Sequence, residues 1–419
     1  MDRPTHVIDP DGEVIIILRN ADSPFAEPSK NMIAYGFNNT VPEPNNNIRD
    51  TAEEIDHPEE CMETPKSTLR GKKKKKKGNK KVQAPLEPIS LPIEEPPAVT
   101  DEPAAAEEPH AVTDEPPAVT DEPAAAEGPA GAGINEQQEE VCFRIQVSAK
   151  HLILASPVFK KILTGGWKES VTYLQKGSVE ITAESWDVEA LLILLRIIHC
   201  QYYQIPRKLT LEMLAKVALL ADYYDCREAV DILGHIWINA LEENVPLTYC
   251  RDLILWLWVS CFFQLHAQFK EATSTAMSWS NNRIDSLGLP IPDDVIRSMD
   301  DRRQGAIAGL VLRLHETRDE LLSGSRGCTF ECSSIMYGAL TKQMQSNALL
   351  WPEPAVPFPN LNYSILVQRV LSFTSPEWYG PSYHYSRYQH SCLHSSFKSL
   401  FGGLNHTIEG LSLDSLVHG

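Results

Sequence analysis

One short apolar run near the N terminus constrains the fold more than any other feature of this sequence. The stretch GEVIIILRN at residues 12–20 is apolar from Val14 to Leu18, which is typical of a short β-strand buried on both faces. No comparably apolar run follows until Val141. The run therefore predicts a strand whose partner lies far along the chain, unless it pairs elsewhere or does not pair at all.

The residues between these two points have the composition of an unfolded segment. Residues 21–140 are dominated by Pro, Glu, Asp, Asn, Lys and Ala and show no hydrophobic period, so burial cannot offset the entropy of ordering them. Within acidic Pro/Ala repeats at 94–127, the decapeptide AVTDEPAAAE occurs twice, at 98–107 and 118–127. A polar unit this short favours low-complexity expansion over a solenoid, and we predict a disordered insert.

Charge is segregated along this insert. Residues 66–81 carry 10 basic and no acidic side chains, whereas 82–140 carry 15 acidic and no basic ones, so the net charge of −18 says little about the folded parts. The basic run is a candidate nuclear-import signal or polyanion contact, although such runs are also often merely solvated. It consists of Lys72, Lys73, Lys74, Lys75, Lys76, Lys77, Lys80 and Lys81.

Composition favours an intracellular protein, in the nucleus, the cytoplasm or both. The N terminus has no basic-then-apolar signal region. The longest apolar run, Leu253 to Phe263, is 11 residues long, shorter than the ~20 that a membrane-spanning helix needs. Nine cysteines, an odd number, are better interpreted as reduced thiols than as a disulfide framework.

From residue 141 onward the sequence alternates between strand and helix patterns. Phe143, Ile145 and Val147 alternate with polar residues, which predicts a half-buried strand able to pair with residues 14–18. Ser156–Pro157 predicts a capped helix start. The other predicted features are a helix stop at Gly165–Gly166, a strand at 179–181, and helices at 185–200, at 209–224 with Thr210 as cap, and at 226–241.

This ordered set of motifs resembles a BTB/POZ domain, and most of all the fungal BTB proteins. The resemblance is carried by IDPDGEVIIIL, SPVFKKIL, LLILLRIIH and ADYYDC. It implies an α+β fold, a short mixed sheet capped by helices, with a long disordered insertion after the first strand and an all-α C-terminal domain. The implied segments are the first strand at 1–20, the insert at 21–140, the rest of the BTB domain at 141–243, a helical BACK-like domain at 244–345 and a loosely structured Pro-rich tail at 346–419.

The resemblance implies a protein-binding module rather than an enzyme. Family members self-associate through the first strand and adjoining helices, here predicting a homodimer, and some dock on the cullin scaffold of ubiquitin ligases. The cullin motif, a hydrophobic residue, any residue, then Glu, is matched by Trp167 and Glu169. Alternatively, Trp167 packs on its own domain and Glu169 is solvated. Ser148–Ala149 stands where many members carry His-Lys, which weakens an expectation of corepressor binding there.

The sequence contains no recognisable motif for catalysis or for sequence-specific nucleic-acid binding. No phosphate loop, GxSxG or HExxH motif occurs, and no zinc finger predicts sequence-specific nucleic-acid binding. We expect no catalysis and no cofactor apart from a zinc ion discussed below. The leading function is a self-associating adaptor, with a cullin scaffold as one partner. The alternative is a nuclear regulatory or structural protein without a ubiquitin-ligase role.

The C-terminal region predicts helices and one candidate metal site. Residues 250–277 and 292–324 have amphipathic helical patterns, with Trp256 and Trp258 more typical of a core than of a site. Further on, three thiols and one imidazole offer the ligand set of a Cys3His zinc site that would pin the tail to the helices. These residues are Cys328, Cys332, His390 and Cys392, with His394 nearby. Alternatively, they are free thiols beside an exposed histidine cluster.

Overall fold

A computed structural model describes residues 3–28, 32, 142–379, 390 and 392–415. The lysine run at 72–81 and the acidic repeats lie outside these residues. The strands are β1 (His6–Val7), β2 (Val14–Arg19), β3 (Phe143–Val147) and β4 (Val179–Glu184). The helices are α1 (Ala149–Ala155), α2 (Pro157–Thr164), α3 (Lys168–Lys176), α4 (Val188–Ile198), α5 (Leu211–Tyr223), α6 (Arg227–Ala240), α7 (Arg251–Phe262), α8 (His266–Trp279), α9 (Asp293–Ser323), α10 (Phe330–Ser346), α11 (Tyr363–Leu371) and α12 (Phe397–Phe401).

The N-terminal apolar run is the central strand of a mixed sheet. The strand order is β1-β3-β2-β4, with β2 antiparallel to β3 and parallel to β4. Ile16 of β2 lies opposite Ile145 of β3, so the predicted pairing across the insert is confirmed. β2 has a neighbour on each edge, and Val14, Ile16 and Leu18 are buried, whereas Ile15 and Ile17 on the other face are only partly buried, so the predicted burial on both faces is incomplete. The α+β class with a short mixed sheet is likewise confirmed.

A strand that the sequence pattern did not predict precedes the apolar run. His6–Val7 forms β1, which pairs in parallel with β3, so the VIIIL strand is the second in the chain and not the first. A two-residue strand is too short to show a period of two, which is why the pattern did not predict it. Backbone hydrogen bonds from Thr5 and Ile8 to β3 extend the pairing on both sides.

The insert begins later than the predicted residue 21. Ala26 is buried and Phe25 packs against the main core, so residues 21–28 are part of the fold. The Arg251 guanidinium donates hydrogen bonds to the backbone carbonyls of Phe25 and Ala26, each at 3.0 Å. The ammonium of Lys216 lies 5.6 Å from the centre of the Phe25 ring. A single aromatic anchor among polar residues gave no periodic signal, and the composition misled the prediction.

The helices over the sheet begin where their capping residues predicted. The Ser156 hydroxyl accepts a hydrogen bond from the Phe159 N–H, and that of Thr210 accepts one from Met213. For α4 the N-cap is Asp187, so this helix begins at residue 188 and not at the predicted residue 185. Nearly all of α4 is buried, as expected for a helix that is apolar all round.

The predicted helix at 250–277 is two helices. The helical conformation is interrupted at Gln264, whose φ of 56° lies in the left-handed region. This residue separates α7 from α8. Helix α7 is buried almost all round and is not amphipathic. Trp256 and Trp258 are core residues, as predicted, and the Trp258 indole N–H donates to the Ala215 carbonyl at 3.2 Å. No helix in the described part is long and apolar enough to span a membrane.

Two hydrophobic cores form, and their boundary differs from the predicted domain boundary at residue 244. The first core runs from the sheet through α8 to Met299 in α9, while the second begins at Ile307 in the same helix and includes α10, α11 and α12. The long helix α9 therefore contributes buried side chains to both cores. The first core extends past residue 244 because α7 packs on α5, and sequence alone does not reveal which helices share a core.

The buried Arg303 lies on α9 between the two cores. Its side chain is fully buried and donates four hydrogen bonds to backbone carbonyls, at distances from 2.8 to 3.2 Å. Burial lowers the pKa of this guanidinium, and the charge of Asp300 opposes the change. The four carbonyls belong to Ser280, Pro357, Phe358 and Leu361, so Arg303 joins the end of α8 to the segment before α11.

The segment from residue 346, predicted to be loosely structured, is packed in its described part. Phe397 and Phe401 of α12 are buried in the second core, and Leu411 and Leu413 return to the first. Between them, Gly410 approaches α8 so closely that a Cβ atom would lie 1.9 Å from the Lys270 carbonyl oxygen. The proline content suggested disorder, but the widely spaced apolar residues are sufficient to anchor the segment.

Candidate interaction surface and Cys/His cluster

Helix α3 presents a row of exposed apolar side chains. Trp167, at the N-cap, is 57% exposed, and Val171 and Leu174 are 44% and 75% exposed. Spacings of four and three residues place these three side chains on one face of the helix. On the opposite side, Ser170 is buried and Tyr173 packs against the first core. We call the outward residues Trp167, Val171 and Leu174 the α3 row.

The predicted pair Trp167 and Glu169 lies at the start of this helix. Glu169 is half-buried and in the first turn, where a carboxylate interacts favourably with the helix dipole. The three-residue motif predicted this pair but not Val171 and Leu174. The i, i+4, i+7 spacing from Trp167 was the signal that could have revealed them.

Residues Ser148 and Ala149, which replace the family's His-Lys pair, are buried at the start of α1. The Ser148 N–H donates to His199 Nε2 at 3.0 Å, and His199 Nδ1 lies 2.7 Å from the Leu195 carbonyl oxygen. Burial lowers the pKa of His199, and the neighbouring His151, stacked at 4.8 Å, adds to the effect. These two positions therefore contribute no charged side chain.

A match to a known family identifies this arrangement of strands and helices. A family model of the BTB/POZ domain matches residues 141–240, which include β3, β4 and helices α1 to α6. This chain contains a BTB/POZ domain. The central strand β2 lies outside the matched residues and completes the sheet of the BTB domain from the other side of the insert.

The BTB domain makes this chain a protein–protein interaction module. No curated protein matches the sequence. The fungal affinity therefore stays a prediction, as do the cullin contact and the nuclear location. The lysine run that suggested nuclear import lies outside the described residues.

Outside the BTB domain, the structure brings together the four candidate metal ligands. The ligand atoms of Cys328, Cys332, His390 and Cys392 all lie within 4.8 Å of one another. Cys328 Sγ and His390 Nε2 are 3.5 Å apart. We call these four residues the Cys/His cluster; His394, the other nearby histidine, is not part of it.

Neighbouring groups hold the cluster in place from several sides. Cys332 is buried in the first turn of α10, and its N–H donates to the Thr329 cap at 3.2 Å. Its Sγ lies 3.3 Å from the Ser395 hydroxyl. The His390 ring stacks on Trp378 with ring centres 4.1 Å apart, and the His390 N–H donates to the Trp378 carbonyl at 2.8 Å. The histidine is therefore held by its ring and by its backbone.

Two thiols of the cluster have pKa values that are shifted in opposite directions. Burial opposes ionisation of Cys392, but hydrogen bonds from Ser395, Cys332 and His390 outweigh it and lower the Cys392 pKa to about 6. Desolvation within the cluster, followed by the neighbouring thiols Cys332 and Cys392, raises the pKa of Cys328 to about 11, although this residue is exposed at the surface. Cys392 therefore ionises more readily than Cys328.

Proposed function

We propose that this chain is a self-associating adaptor whose BTB domain binds a cullin-type scaffold through the α3 row. The observation that carries the proposal is the exposure of Trp167, Val171 and Leu174 on one helical face. The C-terminal helical region would present a second partner. The proposal assigns no catalytic step to the chain.

The α3 row has the chemistry of an interface hot spot. A large aromatic side chain with aliphatic neighbours supplies apolar area, and interfaces concentrate their binding energy in such anchors. Glu169, beside Trp167 in the first turn, adds a charged group next to the apolar area. The motif that resembles the cullin contact begins at this position, which favours a scaffold over an unrelated partner.

Strand pairing between two copies needs a sheet edge, which the apolar strand β2 does not have. Both edges of β2 are occupied by β3 and β4, so the expected contact through residues 14–18 cannot form by strand pairing. The outer edge of β1 pairs with no strand among the described residues. Val7 in β1 is 54% exposed, and Leu154 at the end of α1 is 88% exposed. We therefore propose that the contact between copies involves the edge of β1 and the exposed end of α1.

Light scattering on the full chain, alone and mixed with a purified cullin N-terminal domain, tests the scaffold contact. We expect a homodimer that binds the cullin domain. The double variant Trp167→Ala, Leu174→Ala should lose at least tenfold in affinity, or about 1.4 kcal/mol, because it removes the largest apolar groups of the row. Tyr203→Ala, which removes a fully exposed aromatic outside the row, is the matched control. A wild-type chain that does not bind the cullin domain would reject this partner.

A separate pair of variants tests the contact between copies. Val7→Lys places a charge at the edge of β1, and charged edge residues oppose strand addition. We expect a monomer by light scattering with an unchanged circular dichroism spectrum. Ile232→Lys, on the exposed face of α6, is the control and should remain dimeric. A dimer that survives Val7→Lys would move the contact away from β1.

The lysine run favours the alternative of a nuclear regulatory or structural role. Eight lysines between residues 72 and 81 match the composition of an import signal. Deleting 72–81 from a fluorescent fusion should move the protein from the nucleus to the cytoplasm. A fusion whose distribution does not change on deletion would leave the run as a solvated segment. A nuclear protein that ignores cullin would support this alternative over the adaptor.

A further inference from the structure

We propose that Cys328, Cys332, His390 and Cys392 bind one zinc ion in a tetrahedral Cys3His site. The inference is independent of the adaptor function, because the cluster lies in the C-terminal region and not in the BTB domain. The zinc ion would be structural, since four protein ligands leave no open coordination position for a substrate or water.

The separations between the ligand atoms agree with the geometry that zinc requires. Zinc–sulfur bonds of about 2.3 Å and zinc–nitrogen bonds of about 2.0 Å place tetrahedral ligand atoms roughly 3.5 to 3.8 Å apart. In the structure all four ligand atoms lie within 4.8 Å of one another, and the Cys328–His390 pair is already at 3.5 Å. A contraction of about an ångström would therefore complete the site.

The surrounding residues provide a second shell for these ligands. The Ser395 hydroxyl lies 3.3 Å from Cys332 Sγ. Trp378 orients the His390 ring by stacking on it, and Thr329 caps the helix turn that carries Cys332. Groups that fix ligand orientation in this way are typical of metal sites. Isolated surface cysteines would not need them.

The ligands come from two parts of the chain that zinc would join. Cys328 and Cys332 lie at the start of α10, and His390 and Cys392 come just before α12. Phe397 of α12 is buried in the second core. A bound ion would therefore fasten α12 to α10 and stabilise the second core by linking residues far apart in sequence.

A disulfide is the main alternative use of these thiols. It would engage two of the three cysteines and leave the third thiol and the imidazole without a role. The convergence of all four ligand atoms favours zinc, because only a metal ion uses the whole set. Mass spectrometry distinguishes the two cases, since zinc adds mass and a disulfide removes a pair of hydrogen atoms.

The first test is elemental analysis of the full chain, purified natively without chelators, together with native mass spectrometry. We expect one zinc ion per chain, lost on treatment with a chelator at low pH and regained on adding zinc alone. In the cobalt-substituted chain, thiolate-to-cobalt charge-transfer absorption should appear. A folded chain without zinc that also fails to take up added zinc or cobalt would overturn the proposal, as would an intact disulfide within the cluster.

Matched variants assign the site to individual residues. Cys328→Ser and His390→Gln should each reduce the bound zinc to a small fraction of the wild-type amount. Because Cys328 is exposed, its substitution should leave the fold intact. Cys200→Ser, at an exposed cysteine outside the cluster, and His394→Ala are the controls and should retain zinc. Zinc that persists in both ligand variants, or disappears in both controls, would contradict the assignment.

Hydrogen exchange shows whether the ion performs the role inferred for it. Removing zinc should increase amide exchange in α10 and α12, while the strands of the BTB domain should be unaffected. Cullin binding by the zinc-free chain should also be unchanged. A failure of cullin binding with zinc retained would contradict the adaptor function alone, whereas a chain without zinc that binds cullin would contradict this inference alone.

Discussion

The two cores of this chain are stabilised in different ways. The first core combines a sheet with helices, and the polar side chains buried in this part of the chain are hydroxyls such as that of Ser156 and the imidazole of His199. The second is smaller, and two polar features lie beside it: the buried Arg303 and the Cys/His cluster. Packing therefore suffices where a sheet supplies many contacts, whereas a small helical core gains stability from polar or metal links.

The largest effect is expected from removing the polar link between the cores. Arg303→Met keeps much of the side-chain volume but leaves four buried carbonyls without donors. We expect a loss of about 3 to 5 kcal/mol in the free energy of unfolding, measured by chemical denaturation. Arg302→Met, at the exposed neighbouring position, should cost less than about 0.5 kcal/mol. Equal stabilities of the two variants would show that Arg303 does not hold the cores together.

A smaller effect should follow from overpacking the first core. A Cβ atom at Gly234 in α6 would lie 2.0 Å from the Phe263 ring, so Gly234→Ala forces the ring to move. We expect a loss of about 1 to 3 kcal/mol. A Cβ atom at Gly305 in α9 would meet no neighbour within 4 Å. Gly305→Ala should therefore increase the free energy of unfolding by about 0.5 to 1 kcal/mol. Thermal unfolding of both variants checks the predicted difference in sign.

Loss of one helix cap should test how much polar contacts contribute within the first core. The buried Ser156 hydroxyl accepts from the Phe159 N–H and donates to the Tyr224 carbonyl at 2.5 Å. Ser156→Ala removes both contacts and should cost about 1 to 2 kcal/mol. Ser156→Thr retains the hydroxyl and is the conservative control. If both substitutions cost the same, packing and not hydrogen bonding explains the role of Ser156.

The smallest expected effect is a pH dependence that belongs to the first core. Because burial lowers the pKa of His199 in the folded state, the unfolded chain binds more protons than the folded one below pH 6.5. The contribution of neutral His199 to the free energy of unfolding is therefore complete above pH 6.5. It is lost as the pH falls from there towards the lowered pKa of His199 in the folded state. Each unit of lowering is worth about 1.4 kcal/mol. Chemical denaturation between pH 7.5 and about 5 should show a shallower pH slope for His199→Gln than for wild type.

An NMR titration provides the matching check on that pH dependence. The His199 ring resonances should titrate below pH 6.5. A His199 midpoint above 6.5 would reverse the predicted direction.

The sequence predicted much of the first core and little of how the second is connected. The alternation in Phe143–Val147 and the caps at Ser156 and Thr210 are local signals, and the structure follows them. By contrast, the contacts of Arg303 join residues more than 50 positions apart, and no local period reports them. The break at Gln264 was also hidden, because the apolar pattern continues through it.

The candidate sites likewise combine residues that were predictable from the sequence with features that only the structure reveals. Trp167 and Glu169 were found because a three-residue motif resembles a family contact, but Val171 and Leu174 needed the helix bounds before their shared face was visible. The four cluster residues were proposed from their ligand chemistry alone. Their convergence depends on how the segment before α12 packs on α10, which is a property of the tertiary structure.

The position of β2 makes the N-terminal segment comparable to a ligand bound by its own domain. Residues 14–19 occupy the middle of the sheet, yet the chain between residues 28 and 142 separates them from the rest of the BTB domain. The tether sets the effective concentration of this internal ligand, and cleavage of the tether would turn an intramolecular pairing into a bimolecular one. The assembly of the BTB domain in a cleaved chain would then depend on protein concentration.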